Sequence, residues 1–113
     1  MANPQLENGH VKIANDLFEA IYMTPMSDYE HRLFLLIIRR TYGFNKKSDW
    51  ISLSQICKEL GIHKANASRT VRKLKERNMI TKEGRRISVQ KDYEQWIIPE
   101  KIKGRRRSSG SVH

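Results

Sequence analysis

The residues best placed to do chemistry lie between Lys64 and Lys75. This stretch carries Lys64, Asn66, Ser68, Arg69, Arg72 and Lys73, and not one acidic residue. Laid on a helix at roughly 100° per residue, Ala67, Val71 and Leu74 fall on one side. Ala65, Arg69, Arg72 and Glu76 fall opposite, flanked by Asn66, Ser68 and Lys73. The outward side is thus small at its start and then rich in Arg and Asn. A helix fits the major groove of duplex DNA, where Arg bonds guanine through two N–H groups and Asn bonds adenine through its amide. Arg69, Arg72 and Asn66 are expected at base edges. Lys64, Ser68 and Lys73 are expected at phosphates, which position the protein but carry no sequence. Any solvated surface helix carries similar charges, so the elements around it matter.

A second cationic group follows at once. Ile80 to Lys82 and Arg85 to Val89 flank Glu83-Gly84. A two-residue turn at Glu83-Gly84 sets Lys82 opposite Arg85, Thr81 opposite Arg86 and Ile80 opposite Ile87. Both isoleucines then share a face, and Lys82, Arg85 and Arg86 crowd the tip. Such a tip suits phosphates or a minor groove.

The elements that hold these groups can be read in chain order. His10 to Ile13 alternates weakly and suits a short strand. Asn15 is placed to cap a helix running to about Met23, with Leu17, Phe18 and Ile21 on one side; Thr24-Pro25 ends it. Ser27 and Glu30 form a capping box for a helix to about Tyr42, with Gly43 as a left-handed stop. Its centre, Leu33 to Ile38, is apolar on all sides, which predicts the central buried helix. Arg39 and Arg40 sit near its negative end and are expected to be structural. Phe44 to Asp49 reads as a polar loop, and Trp50-Ile51 as a short strand. Ser52 and Gln55 make a second capping box, opening a helix through Leu60 with Leu53, Ile56 and Leu60 inward. Gly61 breaks it, and a helix from about 64 to 78 follows. Two short helices joined by a tight glycine-containing turn are the helix-turn-helix signature, shared with ordinary helical hairpins. The basic segment 80–89 after it reads as a wing. Tyr93, Trp96 and Ile97 then offer a short docking turn, stopped by Pro99.

Composition narrows the function. The 113 residues fit one domain, and the net charge is +10. Residues 1–50 hold six basic and six acidic side chains, whereas residues 51–113 hold sixteen and six. One-sided positive charge points to a polyanion, although a basic solvated surface would give the same count. Mean hydropathy is −0.69, and the longest apolar run, Leu33 to Ile38, is far short of the ~20 residues a membrane span needs. No signal peptide is visible at the N-terminus. Cys57, the single cysteine, fits a reducing compartment. It reads as a small core residue rather than a nucleophile. His10, His31, His63 and His113 share no ligand spacing, and no paired carboxylates or glycine-rich phosphate loop appear. The expectation is therefore no enzyme, no catalytic residue, no metal and no cofactor.

Four stretches resemble the bacteriophage replication protein O family, in its N-terminal domain. They are Asn8-Gly9 followed by Ile13 to Asn15 and Leu17 to Ala20; Arg39 to Gly43 followed by Phe44 to Lys47 and Asp49; Ile51 to Gln55; and Gln95 to Pro99. The run from Tyr42 to Lys47 is the most specific. The resemblance implies a winged helix that binds repeated sites of double-stranded DNA at a phage replication origin as a homodimer, in the cytoplasm of the bacterial host. It also implies contact with the host replicative helicase or its loader through a C-terminal region not present here. Two departures stand out. Phe44 replaces a common Trp, and His63 replaces a Ser or Thr at the cap of the groove helix, a weakening of around 1 kcal/mol.

The expected class is mainly α with a small β-hairpin, a winged helix-turn-helix. Residues 1–9 form an extended arm, 10–99 the DNA-binding domain and 100–113 a basic disordered tail. Two rivals remain open. A winged-helix transcriptional regulator would use the same chemistry at promoters. A winged helix used only for protein contact would show a more apolar, less cationic surface. A single-strand platform finds little support in Tyr22, Tyr29, Phe34 and Trp96, whose spacing is core-like. The first helix and the arm are candidate surfaces for a dimer.

Overall fold

A computed structural model describes residues 1–98; the expected tail, 100–113, and the stop at Pro99 lie outside them. Four helices and a small antiparallel sheet make up the described part. They are α1 (Asn15–Met23), α2 (Asp28–Thr41), α3 (Leu53–Leu60) and α4 (Lys64–Glu76), with β1 (Asp49–Trp50), β2 (Ile80–Glu83) and β3 (Arg86–Val89). The sheet order is β1-β3-β2. The chain is thus mainly helical, and the short strand expected at Trp50-Ile51 forms one residue earlier and joins the hairpin as a third strand.

α2 is the centre, as its apolar run predicts. Leu33, Phe34 and Ile37 are fully buried, and the helix packs on α3, α4 and β3. Leu17 and Ile21 of α1, Ile56 of α3, Ala67, Val71 and Leu74 of α4, and Ile80, Ile87 and Val89 of the hairpin complete one core. Burying faces in this way, rather than propensity alone, is what stabilises helices this short. Both capping boxes form. Ser27 Oγ accepts from the Glu30 N–H (3.2 Å) while Glu30 Oε1 accepts from the Ser27 N–H (2.8 Å); Ser52 and Gln55 repeat the pattern.

Several expectations are corrected. His10 to Ile13 forms no strand; the free edge of β3 is taken by β1. The cap of α1 is Ala14, and Asn15 is already helical. Phe18 lies about 100° from Leu17 and about 60° from Ile21 around the helix and is exposed, edge-on to Tyr22. Leu35 is also exposed, so the run in α2 is not buried on every side. Gly43 does not stop α2 in the left-handed region. It lies inside a 3-10 turn, Tyr42–Phe44, and the left-handed residue is Asn45 (φ 57°). A Cβ at Gly43 would meet Arg39 Nη1 at 2.9 Å, the far end of a flexible side chain. Residues 1–9 are exposed and contain a 3-10 turn at Leu6–Asn8.

The hairpin register also differs. Ile80 faces Val89, Thr81 faces Ser88, Lys82 faces Ile87 and Glu83 faces Arg86. The turn is therefore Gly84-Arg85, not Glu83-Gly84. Gly84 has φ +62°, while Arg85 stays in the ordinary negative region. A two-residue turn with positive φ only at its first central position needs glycine there, as in the type II′ turn. The expected register would have required Glu83 to adopt positive φ as well, or a turn that splays the strands.

Candidate nucleic-acid interface

α4 opens where the sequence places it. Gly61 ends α3 in the left-handed region (φ 67°), and its N–H bonds the Cys57 carbonyl at 2.8 Å. Arg32 of α2 donates to the Leu60 carbonyl, tying off the end of α3. His63 then stands at the cap of α4 with no side-chain hydrogen bond to the helix. The expected weak cap is what the structure has.

Ala67, Val71 and Leu74 are buried, as is Thr70, whose Oγ1 donates to the Asn66 carbonyl at 2.6 Å. Lys64, Ser68, Arg69, Arg72 and Lys73 are exposed, and Asn66 is half-buried. Arg69 Nη1 donates to Asn66 Oδ1 at 2.9 Å. These two expected base readers are thus linked before any ligand arrives. The bond uses the amide oxygen of Asn66 and leaves its NH₂ and the remaining guanidinium N–H groups to donate outward.

The hairpin divides its three cations. Lys82 Nζ donates to the Gly84 carbonyl (2.7 Å), and Arg85 occupies the exposed turn. Arg86 closes the turn opposite Glu83, but its side chain is directed toward β1. Its Nη1 donates to Ser48 Oγ (3.1 Å), and its guanidinium lies over the Trp50 ring at 5.8 Å. The register explains this, because Arg86 pairs directly with Trp50 across β1 and β3.

Sequence reasoning passed over three residues. Arg77 sits just after α4 and is 4% exposed. Its Nη1 donates to Glu30 Oε1 (3.1 Å), Nη2 to the Pro25 carbonyl (2.7 Å) and Nε to the Ile97 carbonyl (3.1 Å). It is a clamp, not a DNA contact. The signal was its position seven residues after the inward-facing Thr70. Phe44 stands out in the sequence only as part of the family resemblance and Trp50 only as a strand residue, yet both are large and exposed. Nearby, Arg40 pairs with Asp49 (3.2 Å) and Glu59 (3.1 Å), fixing the loop to α2 and α3. Partial burial of Asp49 alone would push its carboxyl up. Hydrogen bonds from Arg40, Lys46 and the Trp50 N–H outweigh this and hold it below the ordinary carboxylate range.

Trp96 docks on Phe34, edge to face at 5.4 Å, with its Nε1 donating to the Gln90 carbonyl (2.7 Å). Tyr93–Gln95 is a 3-10 turn, and the Ile97 side chain points to solvent. Among the described residues, no group of three His, Cys, Asp or Glu is placed to hold a metal. No helix there is long and apolar enough to cross a membrane. A cavity of about 670 Å³ lies between α1, the loop after α2 and the end of β3, and is lined by no α4 residue.

Comparison with known proteins completes the site. The family model described as bacteriophage replication protein O matches residues 2–96. The chain is 28% identical over 92 residues to DNA replication protein gp18 of Salmonella phage P22, covering 81% of this chain and 34% of that protein. It is 29% identical over 97 residues to replication protein O of Escherichia phage lambda, covering 84% and 28%. It is 30% identical over 105 residues to replication protein 15 of Enterobacteria phage phi80, covering 89% and 35%. The chain thus spans about a third of the length of these relatives. No solved structure matches it.

Proposed function

The chain belongs to the bacteriophage replication protein O family, and from that membership we propose that it is a winged helix-turn-helix, the origin-binding part of a phage replication initiator. It binds double-stranded DNA sequence-specifically, with α4 in the major groove and the hairpin on the backbone. The observation that carries this reading is the outward side of α4. Arg69 and Arg72 are exposed on it, Asn66 is bonded to Arg69, and no carboxylate interrupts the run from Lys64 to Lys75. Arg69, Arg72 and Asn66 read bases; Lys64, Ser68, Lys73, Lys82, Arg85 and Arg86 hold phosphates.

The chain is a binding module, not an enzyme, and needs no cofactor. It works in the bacterial cytoplasm, and two protomers occupy repeated half-sites, since one helix and one wing cover only one. Any recruitment of the host's replicative helicase or its loader is assigned to a region outside the matched segment, not to the described residues.

The test is a selection from random duplex DNA at about 150 mM salt, where non-specific phosphate binding is weakened. Enrichment of a short motif, repeated in the origin of the source phage, is the expected result. A motif found at promoters instead would favour a transcriptional regulator. No enrichment, with binding that fades evenly as salt rises, would overturn sequence reading altogether.

A further inference from the structure

The sequence run from Tyr42 to Lys47 has no part in the groove-reading surface. Yet the structure builds it, with β1, into a defined strip. Asn45 turns the chain in the left-handed region, and Lys46 N–H bonds the Thr41 carbonyl at 2.8 Å. Asp49, held by Arg40 and Lys46, anchors the far end. Two adjoining clefts of about 340 and 550 Å³ share Lys46 and Asp49; Phe44 lines one and Trp50 the other. Both rings are open to solvent, Phe44 by 55% and Trp50 by 59%.

Each ring is accompanied by cations. The Arg39 guanidinium lies 4.9 Å from the Phe44 centroid, Lys46 Nζ lies 5.8 Å from it, and Arg86 covers Trp50. Lys47 is exposed beside them. The carboxylates lining the clefts, Asp49 and Glu59, are already neutralised by Arg40 and Lys46. Glu83 stands on the far side of β3 from Trp50, across from Arg86. The strip is therefore apolar in its flat faces and cationic around them.

A duplex offers phosphates to the cations but no base face to the rings, because its bases are stacked on one another. An unpaired strand offers both. Aromatic platforms flanked by Lys and Arg are how proteins hold single strands without reading their sequence. We propose that the strip formed by Phe44, Lys46, Lys47, Trp50 and Arg86 binds single-stranded DNA, with bases stacking on Phe44 and Trp50. The site lies outside α4 and shares only Arg86 with the duplex surface, so one protomer carries separate surfaces for paired and unpaired DNA.

The test uses the full 113-residue chain and oligothymidylate, which forms no duplex. Binding is read by anisotropy of a labelled oligonucleotide and by quenching of tryptophan fluorescence. Phe44→Ala and Trp50→Ala are each expected to lower oligothymidylate affinity roughly 5- to 150-fold, and duplex affinity by no more than about twofold. Trp50→Phe should keep most of the affinity while losing the quenching, since Trp96 is packed on Phe34. Arg72→Ala should weaken the selected duplex and leave oligothymidylate unaffected, so failure of the groove reading would be seen separately. Thermal melts confirm that each variant is folded. No oligothymidylate binding by the unsubstituted chain would overturn the proposal. So would binding indifferent to both ring truncations, or equal losses on duplex and single strand.

Discussion

At the scale of single residues, exposed arginines on α4 and the buried Arg77 have opposite consequences when lost. Arg69 and Arg72 meet solvent, so truncating either should leave the fold intact. Each loss should cost ~1–3 kcal/mol of duplex binding and relax sequence preference, whereas Arg86→Ala should weaken all duplexes alike. Equal, sequence-independent losses at all three would remove α4 from the role of reader. Because Arg69 is bonded to Asn66, the Asn66→Ala and Arg69→Ala effects on duplex binding should not add, and a double-mutant cycle measures the coupling. Arg77→Ala is a stability variant instead. It strips Glu30 of its partner inside the protein and leaves the Pro25 and Ile97 carbonyls without their donor. Removing one side of a buried pair costs ~3–5 kcal/mol, read in a denaturant titration. None of this is visible in a residue count, since the arginines are chemically identical and only their surroundings differ.

At the scale of elements, two ends and a loop make predictions. His63 has the extended backbone of a cap (φ −73°, ψ 152°) but no side-chain bond to α4. His63→Ser should supply that bond and stabilise by ~1 kcal/mol. For a domain of this size the melting temperature then rises by about 4–8 °C; an unchanged melt would mean the first turn is already satisfied. The strip loop depends on Asp49. Its folded carboxyl titrates below the ordinary range, so the unfolded chain takes up the proton first. The stabilisation is present in full above the ordinary carboxylate value of 3.8 and is lost as pH falls through the lowered folded value. Asp49→Asn should flatten that part of the acid limb in a pH series of denaturant titrations; an unchanged limb would show that Asp49 does not anchor the loop.

At the scale of the whole molecule, the charge asymmetry becomes a measurable salt dependence. Each phosphate neutralised contributes about −0.9 to the slope of log K against log salt. The five cations assigned to phosphates, Lys64, Lys73, Lys82, Arg85 and Arg86, give about −4.5 for one protomer and about −9 for two on one site. Titrating one half-site and then an inverted pair from 50 to 200 mM salt should show the doubling. A slope that stays the same on the paired site would rule out a dimer there.

Much of this molecule follows from signals confined to a few consecutive residues. The capping boxes at Ser27 and Ser52, the break at Gly61 and the inward stripe Ala67, Val71, Leu74 are set by neighbours within four positions. Their physics is already complete in the chain. The cationic outer side of α4 follows from the same periodicity, so most of the candidate site was legible there. The remainder joins positions far apart, and no local pattern encodes it. Glu30 meets Arg77 only because α2 packs on α4. Trp50 meets Arg86 only because β1 takes the edge of β3. The hairpin register depended on which of two neighbouring positions received the positive φ of Gly84, a choice that moved every cross-strand pair. Sequence alone determined the helices and the charge they carry; tertiary packing decided which arginine is buried, which aromatic rings stay open and which cations stand beside them.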